Sequence, residues 1–300
     1  MTLPKLDNQG LMAALCAPFT WGMAGIFVRW LPGWSPFAVL AGRFLVATAF
    51  MLPILFLISS VRWEFTRSLR LAQTWWLSFP AILGYVLGTT ALQMAPVGEV
   101  TLLLTTSPLF AIAYKYFVGL RIQRSEGMGM LLALVGVSLI LLPQLSAGGM
   151  ASRQAMTGYL LALGAAGMVA LYTVWFSSLT KQGIAPKSIN VVVVTCVLGG
   201  VLSLCGTVFF SKWSIEIGLD GQTILTLIGL GVLSTVFPLW CYTIAAQRLP
   251  VIMTTSILLL EPVFATLFAS VALGEIPSLG FYMGSVLVLG GLLLIALPVK

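Results

Sequence analysis

Ten apolar segments, each about as long as a bilayer is thick, follow one another through this chain with little between them. They run over 11–31, 36–58, 74–94, 97–118, 127–143, 157–180, 188–209, 222–246, 251–273 and 277–297. A crossing needs about 20 apolar residues, because the hydrocarbon layer is roughly 30 Å thick and a helix rises about 1.5 Å per residue. In hydrocarbon every backbone N–H and C=O must find its partner inside the protein, and a helix supplies those partners within one segment. Only 8% of residues are charged, against roughly 25% in a soluble domain. The sequence therefore predicts an all-α integral membrane protein of ten transmembrane helices. The longest polar intervals, 62–74, 144–155 and 211–221, are too short for a soluble domain and read as linkers.

Turn residues mark the breaks: Leu31-Pro32-Gly33, Ala95-Pro96-Val97, Leu249-Pro250-Val251 and Glu275-Ile276-Pro277. Basic residues then set the orientation, since cytoplasmic loops carry the lysine and arginine excess. With the N-terminus inside, Lys5, Arg62, Arg67, Arg70, Arg121, Arg124, Lys181, Lys187, Arg248 and Lys300 face the cytoplasm. Only Arg29, Arg153 and Lys212 face out, while Arg43 and Lys115 fall within spans. That bias places both termini in the cytoplasm of a multi-pass plasma (inner) membrane protein. It also accounts for the net charge of +7 without nucleic acid as a partner. Met1 to Gly10 carries no small-residue cleavage signature, so Leu11 is read as opening the first span.

The two halves resemble each other. At a shift of 154, Pro96, Val97, Thr101, Leu104, Pro108, Phe110 and Ala111 meet Pro250, Val251, Thr255, Leu258, Pro262, Phe264 and Ala265. Leu142-Pro143 answers Leu297-Pro298, and Pro36 answers Pro186. The expected division is a first five-helix repeat over 1–148 and a second over 149–300. Five crossings is an odd number, so the second copy enters the membrane upside down. Inverted repeats of this kind are a common plan for secondary transporters, with the substrate held near the midplane between them.

Short motifs run the length of the chain in a familiar order. They are Trp21-Gly22, Ala41-Gly42-Arg43-Phe44, Ser107-Pro108-Leu109-Phe110, Ala170-Leu171-Tyr172, Leu260-Glu261-Pro262-Val263-Phe264 and Leu273-Gly274-Glu275. Together they resemble the drug/metabolite transporter superfamily in its ten-helix EamA-type branch. Within it the chain is most similar to the YddG-type exporters of aromatic amino acids. The resemblance implies ten helices, two cytoplasmic termini and a central cavity lined mainly by spans 1, 3, 4, 6, 8 and 9. One departure stands out: where the second half has Gly274-Glu275, the first has Gly119-Leu120-Arg121.

Ionisable groups inside a membrane need a reason, and four stand out: Arg43, Glu99, Lys115 and Glu261. Glu261 precedes Pro262, which frees a carbonyl in the preceding turn. Its carboxyl either meets a substrate ammonium or a proton, or holds a helix kink. Lys115 either snorkels to the headgroups or draws a substrate carboxylate to the cavity floor. Arg43 and Glu99 share the outer half and are expected to form a structural ion pair or to reach the outer interface separately. Trp21, Tyr172, Trp175 and Trp240 lie within spans, where they either pack or stack on a flat or cationic solute. Tyr85, Thr89, Gln93, Thr105, Thr106 and Ser107 bring polar groups into spans 3 and 4, although serine and threonine often bond back to their own helix.

The expected substrate-binding set is thus Trp21, Tyr85, Thr89, Gln93, Thr105, Ser107, Lys115, Tyr172, Trp175, Trp240 and Glu261. The expected activity is export of small amphipathic metabolites, aromatic amino acids first, by alternating access; a multidrug or quaternary-cation exporter is the alternative. The chain has no histidine and no Gly-x-x-x-x-Gly-Lys loop, and its four cysteines, Cys16, Cys196, Cys205 and Cys241, show no metal spacing. No enzymatic activity, cofactor or metal is expected. The partners are the bilayer and a small solute, with a monomer as the default state.

Overall fold

The computed structural model describes residues 8–57, 62–63, 65–66, 69–119, 123–147, 150–210 and 220–296. Lys5, Arg67, Arg121, Lys212, Lys300, both termini and the Leu297-Pro298 pair lie outside these residues. Among the described residues there is no strand. Among the described residues the longer helices string into ten stretches. Helix 1 is Asn8–Gly22 with Ala24–Arg29, helix 2 Pro36–Leu57 and helix 3 Ala72–Met94. Helix 4 is Val97–Leu104 with Ser107–Phe117, helix 5 Arg124–Ala147, helix 6 Met150–Lys181 and helix 7 Ser188–Phe210. Helix 8 joins Gly221–Ile228, Gly229–Val236 and Phe237–Arg248; helix 9 joins Val251–Ile257, Leu258–Leu260 and Glu261–Leu273; helix 10 is Leu279–Ala296. Among the described residues eight helices are long and apolar enough to cross a membrane, and the apolar Leu279–Ile295 is somewhat shorter. The chain is an all-helical, multi-pass membrane protein.

Packing joins helix 1 with 8 and 9, 2 with 7 and 8, 3 with 6 and 7, 4 with 6 and 9, and 5 with 10. Lipid tails are as apolar as leucine, so close contact rather than water exclusion holds such helices together. Glycine makes the contact close. A Cβ on Gly129 would lie 2.3 Å from the Gly291 carbonyl oxygen, and one on Gly136 would lie 2.7 Å from that of Gly284. The reverse approaches are 2.4 Å at Gly291 and 2.8 Å at Gly284. Helices 5 and 10 therefore run backbone against backbone. Large apolar side chains such as Met12, Phe50, Leu131, Leu202 and Val286 point away from the bundle, as a lipid-facing surface requires.

Prolines set the irregular places. Pro108 and Pro262 each open the second piece of a broken helix, the position where a missing N–H does least harm. Before Pro108 the Thr105 and Thr106 hydroxyls donate back to the Leu102 and Leu103 carbonyls at 2.8 and 2.7 Å. Before Pro262 the chain tightens into a 3₁₀ turn over Leu258–Leu260. Before Pro238 it widens into a π-helix over Gly229–Val236. Helices 4 and 9 both end on glycines in the left-handed region, Gly119 at φ 76° and Gly274 at φ 67°, the usual helix stop.

The helix ends are tied by charge. Arg29 Nη2 donates to the Ala95 carbonyl at 2.7 Å and lies 3.9 Å from Glu275 Oε1, while Glu275 Oε2 accepts from the Val97 N–H at 3.0 Å. At the start of helix 8 the Asp220 carboxylate accepts hydrogen bonds from Thr223, which hold it below the usual carboxylate range.

Close packing of helices 5 and 10 predicts that Gly129→Ala and Gly136→Ala each destabilise the folded protein by about 1–3 kcal/mol, the usual cost of overpacking. Gly290→Ala, whose nearest contact would be Leu132 Cδ2 at 3.8 Å, leaves stability unchanged or slightly raised. Thermal unfolding of the purified protein in detergent checks both.

Candidate functional site

The three irregular places border one cavity. Its wall includes Leu104 next to the break in helix 4, Leu258 and Glu261 at the break in helix 9, and Leu239 and Tyr242 just past the π segment. Helix 1 adds Trp21 and Ala24, helix 2 Arg43, helix 3 Gly84, Tyr85, Gly88 and Thr89, and helix 6 Ala165, Met168 and Tyr172. The space is about 820 Å³, its open mouth included. Irregular backbone at membrane depth is tolerated where it is buried in protein or lines a cavity, and both conditions hold here.

Aromatic rings form one side of the cavity. Trp21 lies 5.3 Å from Tyr242 between centroids, and Tyr242 stacks on Tyr172 at 6.3 Å. Their polar tips are occupied. The Tyr172 and Thr243 hydroxyls lie 2.7 Å apart, as do those of Tyr242 and Thr173, and Trp21 Nε1 donates to the Tyr85 hydroxyl at 3.2 Å. The rings are thereby held in place while their faces stay apolar.

Two charged groups share this wall. Glu261 is buried, and among the described residues its carboxyl has no hydrogen-bond or ion-pair partner. Arg43 is also buried. Its Nε donates to Thr235 Oγ1 at 2.5 Å, its Nη1 to Thr89 Oγ1 at 3.1 Å and its Nη2 to the Ser234 carbonyl at 2.5 Å. Its guanidinium carbon sits 4.4 Å from the centre of the Tyr85 ring, a cation–π contact.

The sequence-predicted residues divide. Trp21, Tyr85, Thr89, Tyr172 and Glu261 come together in the cavity wall. Gln93 lies apart from it, donating to the Trp34 carbonyl at 3.1 Å. Thr105 is buried and bonded to its own helix, and Ser107 is buried at the start of the second piece of helix 4, outside the wall. Lys115 pairs with Glu126 Oε1 at 2.6 Å. Trp175 packs edge-on against Trp76 at 6.3 Å, beside a second pocket between helices 3 and 6. Trp240 is 40% exposed and faces away from the bundle. Helix 8 turns Leu239 and Tyr242 inward, and a step of about 100° per residue carries Trp240 out.

The expected pairing of Arg43 with Glu99 is corrected. Glu99 accepts a hydrogen bond from the Tyr159 hydroxyl, while Arg43 bonds to helices 3 and 8. Nor does Arg43 reach the outer interface, being 2% exposed. Among the wall residues that the sequence reading left out of the substrate set are Arg43 and Tyr242. A spacing signal existed for Tyr242, which sits a helical turn past Leu239; for Arg43 the only signal was its cost inside a span. Among the described residues no cluster of three or more histidines, cysteines, aspartates or glutamates could hold a metal.

A polytopic helical bundle with a central cavity and broken helices beside it is the architecture of a membrane carrier. The sequence matches the EamA-like transporter family over residues 8–142 and again over 156–297, and the chain belongs to that family. It is similar to an uncharacterized transporter of Clostridium kluyveri, 24% identical over 269 residues, which cover 86% of this chain and 82% of the relative. It also shares its fold with a protein of known crystal structure, at a TM-score of 0.67 and 20% identity over 96% of this chain and 98% of the other.

The placement of Lys115 generates a prediction. Lys115→Met leaves the buried Glu126 carboxylate without its cation, at a cost of about 1–3 kcal/mol. The thermal midpoint falls while affinity for the transported solute is unchanged. Lost affinity with intact stability would instead place Lys115 at the solute.

Proposed function

We propose that this protein is a secondary transporter that exports small amphipathic metabolites, aromatic amino acids foremost, across the plasma (inner) membrane by alternating access. The observation that carries this reading is the unpartnered Glu261 carboxyl in an aromatic-walled cavity. A buried carboxyl without a partner is costly, and a substrate ammonium or a proton would relieve that cost. The flat faces of Trp21, Tyr172 and Tyr242 suit an apolar or aromatic side chain.

The movement we propose is a rocking of two inverted five-helix halves, 1–148 and 149–300, about the cavity, with both termini in the cytoplasm. Two observations support it. The family matches twice in succession. The packing pairs also map onto themselves when each helix is advanced by five: 1 with 8 becomes 6 with 3, while 2 with 7, 4 with 9 and 5 with 10 exchange members. Such a pattern is what a two-fold relation between halves produces. Arg29 and Val97 of the proposed first half meet Glu275 of the second, on the side that the charge bias assigns to the exterior.

A multidrug or quaternary-cation exporter is the second reading, favoured by the same carboxyl among aromatic rings. Flux from proteoliposomes loaded with labelled phenylalanine or tryptophan tests the first. We expect efflux above empty vesicles, reduced about tenfold in Glu261→Gln, as loss of a charged hydrogen bond implies. Movement of organic cations with no amino-acid flux would sink the amino-acid reading and favour the drug exporter.

A further inference from the structure

We propose that Arg43 is the anion-binding group of the cavity and takes the carboxylate of the transported solute; this rests on the transporter reading above. Three observations carry it.

The first is an unbalanced charge. A guanidinium buried within the thickness of a membrane is normally paired with an acid. Among the described residues the two ion pairs are Arg29 with Glu275 and Lys115 with Glu126. Arg43 is in neither, and all of its hydrogen-bond acceptors are neutral. Glu261 lines the same cavity but makes no ion pair with it. The cavity therefore holds a cation and an acid that attract each other at a distance without forming a direct ion pair. A solute with a carboxylate and an ammonium would neutralise both.

The second is spare donor capacity. A guanidinium has five N–H groups in a planar fork that suits carboxylates. The three bonds to Thr235, Thr89 and Ser234 use three of them. Two remain on a side chain that forms part of the cavity wall.

The third is how firmly the group is held. Pro238 has no N–H to give to the turn before it. Ser234 lies in that turn, and Arg43 takes its carbonyl. The π segment also brings Thr235 to the guanidinium, and Thr235 Oγ1 is anchored by its own bond to the Leu230 carbonyl at 2.7 Å. Tyr85 covers one face. Ser234 Oγ in turn donates to the Thr20 carbonyl at 3.1 Å, tying the same turn to helix 1. The fork is thus positioned before any solute arrives, which makes binding less costly in entropy.

The test compares solutes that differ in one group. Labelled phenylalanine, phenethylamine (no carboxylate) and phenylacetate (no ammonium) are each measured for flux and binding with wild type, Arg43→Gln and Arg43→Lys. Size-exclusion and thermal-unfolding profiles identify the folded variants. Wild type should prefer phenylalanine over phenethylamine by about tenfold or more, the scale of a charge-assisted bond. Arg43→Gln should abolish that preference by weakening phenylalanine alone, and Arg43→Lys should keep part of it. An equal loss for both solutes, or an unchanged preference, overturns the proposal. If Arg43→Gln does not fold, the Arg43→Lys preference decides: unchanged discrimination overturns the proposal, and a selective fall for carboxylates supports it. Movement of phenylacetate but not phenylalanine, dependent on Arg43, would refute amino-acid transport and uphold the anion site. Movement of cations alone would refute both.

Discussion

One buried contact organises the centre of this protein. Pro238 brings no N–H to the turn before it, and Arg43, a charge that lipid cannot solvate, donates to the Ser234 carbonyl of that turn at 2.5 Å. Each group alone would be destabilising at this depth. Together they fasten helix 2 to helix 8, and the bond to Thr89 adds helix 3. The π segment follows from this, because its wider turn brings both Ser234 and Thr235 to the guanidinium. Aromatic packing continues the cluster, with Phe44 edge-on to Tyr85 at 5.5 Å and Trp21 hydrogen-bonded to the Tyr85 hydroxyl. The cavity opens beside this cluster.

The same economy appears at the other breaks. Pro108 and Pro262 match at the 154-residue shift, and each marks where a helix is interrupted at the cavity. In helix 4 the freed region is covered by threonine hydroxyls, and in helix 9 it leads into Glu261. The residues at the matching positions, Ser107 and Glu261, differ in kind. The two breaks therefore combine similar sequence with different chemistry, and the charged member of the pair is the one that lines the cavity.

Much of the architecture was legible in the sequence. Hydrophobic length located the helices, and the proline-marked breaks at 95–97 and 249–251 fall where helices end. The cavity was legible in part. Trp21, Tyr85, Thr89, Tyr172 and Glu261 were visible because polar or aromatic groups inside spans need a reason. Trp175 and Trp240 passed the same test yet lie elsewhere, since a helix that is apolar all round gives no periodicity to tell bundle-facing from lipid-facing positions. Arg43 was misread for another reason. One of its acceptors is a backbone carbonyl almost two hundred residues away, and no pattern of side-chain types records that. Glu99 was closer in sequence and opposite in charge, but Tyr159 occupies it.

The most direct test asks whether the cavity is reached from each side of the membrane in turn. Gly88 lines it, and a Cβ there would meet only ordinary contacts, 3.8 Å to Leu104 Cδ2 and 4.0 Å to Ala165 Cβ. A single cysteine at this position, with the four native cysteines replaced, would be exposed to a membrane-impermeant thiol reagent on one face of oriented vesicles and then on the other. Alternating access predicts labelling from both faces, slowed by phenylalanine on either. Labelling from one face only, indifferent to any solute, would contradict the account.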